Sequence, residues 1–470
     1  MYLTSVLVYL GILILVGFWQ SRRVKTSDDF IVAGRTLPAR VLVFTLLSTW
    51  IGSGSLFGGA GLGYRAGFPA LWQSAGAWVG IAIVFFLAHR IRRIAKFTMP
   101  DVLELRYGPT ARVLGTIVVT IAYTTIAAYQ FRGGGRLLNL IAPIDVGTGA
   151  LITAAFCIAY TALAGMLAVA YLDVGNGLMM TIGVGAAVGF LVVQAGGPVD
   201  ALSALRPDQV ALFGTLDPWL DAGALFLPTM LLLVGEANMY QKFFSARDEQ
   251  AARRSVVGWI VGTIVVETLI IGVGAFGSLR IPGLSTGDSE AIVMRVAVDV
   301  LPAALGIALL CGGAAIIIST ANSFLLTPAS ALMDDVYKRY INPRATDRQI
   351  VLWTRIMVVA LGIVGFIALR FFSTILAMAL WAYTMYGAAI TPALLAGFFW
   401  KRATRQGGVA SIATGMAVTL GWEIAARYTA GLYLWGVPTV YPAFAFSLLA
   451  LAVVSLATPA PRESELAAVR

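Results

Sequence analysis

Two glutamates stand where a charge is expensive. Glu236 interrupts the apolar run "LPTMLLLVGEANMYQKFF" (227–244), and Glu267 lies midway along another, 255–279. Each would cost on the order of 3 kcal/mol at the centre of a lipid-spanning helix. With Gly235 and Asn238 beside it, Glu236 suits a counter-ion for a substrate amine or a protonatable group tuned by burial. A structural pair inside the bundle is the competing use, and for Glu267, which no motif supports, it is the expectation. A second chemical element is the hydroxyl stripe Ser319, Thr320, Ser323, Thr327 and Ser330, which follows helical spacing through "CGGAAIIISTANSFLLTPASALMDDVYKRY" (311–340). Such hydroxyls often bond back to their own i−4 carbonyls, but a continuous stripe asks for more than that. The third element is "STWIGSGSLFGGAG" (48–61), where Gly52 and Gly54 let the backbone leave helical geometry around 48–53. Unwound carbonyls cannot face lipid and need a partner. Adjacent hydroxyls and freed carbonyls together make an all-oxygen, formally neutral cage, which suits a hard cation and disfavours a divalent one, so sodium fits. Close helix packing through Gly58, Gly59, Gly61 and Gly63 is the other reading of these glycines.

The elements that must hold these groups are membrane helices. A chain of 470 residues that is 59% hydrophobic and 12% charged cannot cover itself with polar surface, and apolar runs of about twenty residues recur at about thirteen places. The net charge of +10 collects in alternate loops, the positive-inside pattern, which excludes nucleic acid as a partner and makes the lipid bilayer the one expected. The predicted inner loops carry Arg22/Arg23/Lys25/Arg35/Arg40, Arg90/Arg92/Arg93/Lys96/Arg106/Arg112, Lys242/Arg247/Arg253/Arg254, Lys338/Arg339/Arg344/Arg348 and Lys401/Arg402/Arg405. The first run, 2–20, reads as an anchor helix rather than a signal peptide, because its basic residues follow it. The N-terminus is thus expected outside and the C-terminus in the cytoplasm, with a short polar tail after 458 and no appended soluble domain. Cys157 and Cys311 both lie in apolar runs and imply no disulfide framework. His89, the sole histidine, reads as a solvated helix end.

Two of these spans, 39–62 and 219–244, break near their centres, and four unbroken ones separate them. That spacing divides the chain into an N-terminal extra helix and loop (1–38), a first five-helix repeat (39–195), an outer loop with a second repeat (196–399), and C-terminal extra helices with a tail (400–470). An odd number of spans per repeat inverts the second relative to the first, and matching broken helices in inverted repeats point to a midplane substrate site.

The stretches "STWIGSGS" (48–55), "YLDVGN" (171–176), "YQKFFSARD" (240–248) and "ISTANS" running to "DDVYKRY" resemble the sodium/solute symporter family over essentially the whole chain. The resemblance implies an all-α, LeuT-like fold with broken first helices in two inverted repeats, and sodium-coupled import of a small organic solute across the cytoplasmic membrane. It places one sodium between the first and eighth core helices. Carried over by position, Ser48, Ile51 and Ile316 would give backbone carbonyls, and Ser319 and Thr320 hydroxyl oxygens. Asp173 matches an acidic residue near the cytoplasmic end of core helix five, associated with ion release or a second ion. Ile316 brings no hydroxyl where some two-sodium members have one, so one sodium per cycle is expected.

Trp50, Ser53, Ser55, Glu236, Asn238, Trp381 and Tyr383 are the candidate solute contacts, with Tyr240 and Tyr386 as further aromatics. Trp50 and Trp381 stand where choline-transporting members also carry tryptophan, and an aromatic cage suits an ammonium group. Thr125, however, falls where those members have an aromatic, and they have no acid matching Glu236. The solute therefore leans to an amine-bearing or zwitterionic molecule. Arg132 and Arg136, near the outer end of core helix three, could instead attract an anion. With one histidine and no metal-ligand spacing, no enzyme is expected. The alternatives are proton coupling in the same fold and a non-transporting solute sensor. Nothing requires more than a monomer.

Overall fold

The computed structural model describes the backbone at residues 1–21, 35–88, 91, 98–428 and 434–461, and the side chains at these positions other than 17–21, 163–172 and 427. The basic residues Arg22, Arg23, Lys25, Arg90, Arg92, Arg93 and Lys96, together with His89, lie outside the described residues.

The chain is a helical bundle. Its principal elements are α1 (Tyr2–Ser21), α2 (Ala39–Trp50), α3 (a π-helical turn Gly54–Gly59 continuing as Ala60–Ala66), α4 (Leu71–Phe85), α5 (Met99–Tyr107), α6 (Pro109–Ile141) and α7 (Val146–Gln194). They continue as α8 (Gly223–Gly235), α9 (Ala237–Phe244), α10 (Glu249–Arg280), α11 (Ala303–Ala331), α12 (Asp347–Ala368), α13 (Ile375–Phe399), α14 (Arg405–Tyr428) and α15 (Val440–Ala457). Among the described residues ten helices are long and apolar enough to cross a membrane, or up to eleven with the bent pair α2–α3, and shorter apolar helices stand at Tyr2–Val16 and Val146–Ala162. This is an integral membrane protein.

The helix starts follow local chemistry. Asp145 and Asp248 accept backbone N–H bonds at the starts of α7 and α10. Thr98 and Asp101 form a capping box on α5, while Gly108 (φ 84) turns the chain so that Pro109 can open α6.

One element departs from expectation in form. Two spans are predicted at 147–164 and 168–195, and helical backbone instead runs through Val146–Gln194, 49 residues. At about 1.5 Å per residue such a helix would exceed twice the ~30 Å hydrocarbon core if straight. Its partners on α11 show that it reverses. Thr161 donates to Asn322, Asp173 bonds Ser319, and Met180 and Gly183 pack against Gly312 and Leu309. The second leg thus climbs α11 as its own numbering rises, while Thr153 and Phe156 of the first sit beside Ala314 and Ile317, above Thr161. The two legs are antiparallel, joined within 163–172.

At the first break, Ile51 turns extended (φ −72, ψ 102) and α3 leaves at 54° to α2. At the second, Glu236 (φ −63, ψ 113) separates α8 from α9. Beyond the first break the glycines do pack: a Cβ on Gly61 would stand 2.8 Å from the Glu290 backbone, and one on Gly63 2.9 Å from the Ile271 carbonyl. The packing reading therefore describes the outer half of "STWIGSGSLFGGAG", while Gly52 and Gly54 face the bundle interior.

Candidate functional site

The hydroxyl stripe of α11 faces the broken helix. Thr320 Oγ1 lies 3.2 Å from the Ser48 carbonyl and 3.4 Å from that of Ile51, so three oxygens converge where α2 loses its helical bonds. Gly52 permits the approach, since a Cβ there would sit 2.9 Å from both Thr320 Cγ2 and Gln130 Nε2. Ile316 is buried one turn earlier on α11. Ser319 donates to Asp173, whose other oxygen accepts from Thr45 Oγ1 at 2.5 Å, and Ser48 Oγ donates to the Asp173 carbonyl at 2.8 Å. Asp173 is fully buried against this group. Two expectations change with it. The cage is not formally neutral, because a carboxylate supports one of its hydroxyls, and Thr45 joins the set. The donors remain carbonyl, hydroxyl and carboxylate oxygens, the chemistry a hard cation takes. Along the stripe the bonds run to other helices: Thr327 donates to Gln241 at 2.8 Å, and Ser323 stands 3.3 Å from Thr49.

The second break is built differently. Glu236 and Asn238 are fully buried, and neither the Glu236 carboxylate nor the Asn238 side-chain amide has a hydrogen-bond partner among the described residues. Unmatched buried groups of this kind call for a partner such as water, an ion or a ligand.

Tyrosines join the two breaks. On α13, Tyr386 donates to the Gly235 carbonyl at 2.5 Å, and Tyr383, one turn away, lies 2.8 Å from where a Gly54 Cβ would be. On α6, Tyr123 accepts from the Asn238 backbone N–H at 3.2 Å and stacks on Tyr386, while Tyr129 meets the Tyr383 hydroxyl at 3.2 Å. Gln130 accepts the Ser53 backbone N–H at 2.8 Å, and its own Nε2 and the Ser53 hydroxyl have no hydrogen-bond partner among the described residues. Tyr123, Tyr129 and Gln130 escape a sequence reading because α6 gives no signal of a break. Their only trace is a polar run in an apolar helix.

Several residues sit elsewhere than expected. Trp381 meets Phe372 in a tilted ring contact and lines a cavity with Glu423, because two positions along α13 place it on the face opposite Tyr383. Ser55 points at Glu267 (3.4 Å), which also accepts the indole N–H of Trp50 at 2.8 Å, while the Trp50 ring lies 5.9 Å from Tyr383. Lys242, assigned by sequence to an inner loop, is fully buried and donates to Thr49 Oγ1 at 2.5 Å. Tyr240 is buried, its hydroxyl on the Val234 carbonyl, and Thr125 bonds its own helix at Ile121. Arg132 donates to the Leu369 carbonyl, and Arg136 donates to the Gly287 carbonyl and pairs with Glu290 at 3.0 Å, so the charge of Arg136 is matched within the protein.

The family model described as "Sodium:solute symporter family" matches residues 30–415. The chain belongs to the sodium:solute symporter family. It is thus a sodium-coupled solute symporter, and sodium is its coupling ion. The high-affinity proline transporter PutP of Bacillus subtilis (strain 168) is 27% identical, over 96% of this symporter and 97% of that protein. The sodium/proline symporter of Escherichia coli (strain K12) is 24% identical, over 98% and 93%. Among solved structures, a substrate-bound, outward-open Na+-coupled sialic acid symporter superposes with a TM-score of 0.82 at 18% identity, covering 98% of each chain. MhsT in complex with L-phenylalanine gives 0.57 at 15%, covering 88% of this symporter and 97% of that chain. These likenesses establish the LeuT-like fold.

Proposed function

We propose that this symporter imports a small zwitterionic, amine-bearing solute of the proline type together with one sodium ion per cycle. The observation that carries the reading is the pairing of two sites. Oxygens of Ser48, Ile51 and Thr320 converge at one break, and the side chains of Glu236 and Asn238 stand buried at the other without a hydrogen-bond partner among the described residues. Sodium takes the Ser48, Ile51 and Ile316 carbonyls with the Ser319 and Thr320 hydroxyls, and Asp173 serves its release, a second ion there being the alternative to one sodium per cycle. The solute amine pairs with Glu236. Its carboxylate takes the unpartnered Gln130 Nε2 and Ser53 hydroxyl. Asn238, Tyr383 and the edge of Trp50 border it, and Ser55 acts only through Glu267. Trp381 drops out of the solute set. Several relatives named as proline transporters agree with this solute class.

In this reading residues 39–195 and 219–399 are the inverted units, and rocking one bundle against the rest gives alternating access. Lipid surrounds a functional monomer in the cytoplasmic membrane, with the N-terminus outside and the C-terminus inside.

The decisive experiment is L-proline accumulation in proteoliposomes under an inward sodium gradient, with potassium or choline replacing sodium and with an imposed pH gradient. Sodium-dependent accumulation supports the reading. Accumulation driven by the pH gradient alone would transfer coupling to Glu236. Sodium-dependent stabilisation of the protein without accumulation of proline or any of a metabolite panel would point to a sensor.

A further inference from the structure

The carboxylate of Glu267 reaches both sides of the first break. Its Oε1 accepts the indole N–H of Trp50, the last residue of α2, at 2.8 Å and faces the hydroxyl of Ser55, near the start of α3, at 3.4 Å. Its Oε2 accepts the indole N–H of Trp78 on α4 at 3.2 Å. Glu267 itself belongs to α10, is 3% exposed, and has only neutral donors as these partners. An indole N–H can only donate, so the point where two indoles meet the hydroxyls of Ser55 and of Ser74 on α4 demands an acceptor with no proton of its own. A carboxylate meets that demand and an amide does not. Of the four residues between the two held by Oε1, Ile51, Gly52 and Ser53 make up the ion and solute faces of the break, through a carbonyl, a close approach to Thr320 and a hydroxyl with no hydrogen-bond partner among the described residues.

We propose that Glu267 is a positioning residue that fixes the geometry of the broken helix, and so sets sodium affinity without touching the ion. The inference rests on the sodium site proposed above. When α2 and α3 are tied to one carboxylate, the Ser48 and Ile51 carbonyls keep the spacing that faces Thr320, and the Trp50 ring keeps its place against Tyr383. When the tie is cut, the unwound segment gains conformations, and sodium binding must then order it.

The test is a sodium titration of the thermal stability of the purified full-length protein, with choline chloride as the ionic-strength control and no solute added. Glu267→Gln sets an amide N–H₂ against an indole N–H and should raise the half-saturating sodium concentration about tenfold, the equivalent of one charge-assisted hydrogen bond. Trp50→Phe removes the principal donor and should act in the same direction. The double variant should be no worse than the worse single variant, because both cut one contact. A merely structural glutamate would lower the melting temperature and leave the sodium half-saturation within about twofold of wild type; that result, or effects that multiply in the double variant, overturns the proposal. Should Glu267→Gln not accumulate, Ser55→Ala deletes a single hydroxyl and should give a rise of about two- to threefold. Unchanged sodium half-saturation in both Ser55→Ala and Trp50→Phe would equally overturn it. A wild-type protein indifferent to sodium would instead strike the ion site, and Thr320→Ala measured alongside separates the two failures: it weakens sodium binding whether or not the clamp exists.

Discussion

The two broken helices solve the same problem in opposite ways. At the first, the groups released by unwinding are taken up inside the protein: Ser53 N–H goes to Gln130, the Ser48 and Ile51 carbonyls face Thr320, and Trp50 goes to Glu267. At the second, Gly235 is answered by Tyr386 and the Asn238 backbone by Tyr123, but a carboxylate and a side-chain amide are left without a hydrogen-bond partner among the described residues. A small cation needs a nearly finished cage, since its ligands must come within a few ångströms from fixed directions. A solute brings its own donors and acceptors and needs the protein to leave some unmatched. We read the first break as preorganised for the ion and the second as incomplete until the solute arrives.

The comparison breaks most readily at Glu236. Glu236→Gln should lower the apparent affinity for L-proline by about 100-fold, because a buried charge pair is worth 2–5 kcal/mol when one partner goes. The sodium half-saturation measured without solute should barely move. If both parameters fell together, the two breaks would not be separate sites. Next in size is Thr320→Ala, which should raise the sodium half-saturation about tenfold and weaken solute binding only through linkage, so that saturating sodium restores it. A solute defect that persists at saturating sodium would place Thr320 in the solute site. Gly52→Ala should follow. Its methyl would press on Thr320 and Gln130 at 2.9 Å, and overpacking of that kind costs 1–3 kcal/mol. Both sodium and solute affinity should drop, since Gln130 serves one side and Thr320 the other. Smallest of all, Trp381→Phe should leave both constants within about twofold, because its ring faces Phe372 and Glu423. A loss of solute affinity there would return α13's outer face to the cavity.

Much of this was legible in the residues. Apolar runs of membrane length, the alternation of basic loops, both helix breaks and the hydroxyl stripe are local properties. They depend on hydrocarbon thickness, the cost of a charge in lipid and the 3.6-residue period. The break near Ile51 and the one at Glu236 stand where glycine next to polar residues placed them. Asp173 was legible only as an acid near a helix end. Its contacts with Thr45 and Ser319 depend on how the second leg of α7 crosses α2 and α11. Lys242 misled the loop assignment because a basic residue near a helix end has the same sequence signature whether it reaches water or turns inward to Thr49.

Sequence alone thus determined that the chain crosses a membrane many times, where two of its helices break, and which residues are too costly to be there without a partner. Tertiary structure alone decided the partners. A charge's insertion cost is a property of one helix in lipid, whereas a hydrogen bond needs two groups at a set distance and angle, and residues as far apart in the chain as Trp50 and Glu267 meet only when the bundle packs. The same packing turned Trp381 outward and Tyr383 inward, a choice that helical spacing permits but that only the neighbouring helices can make.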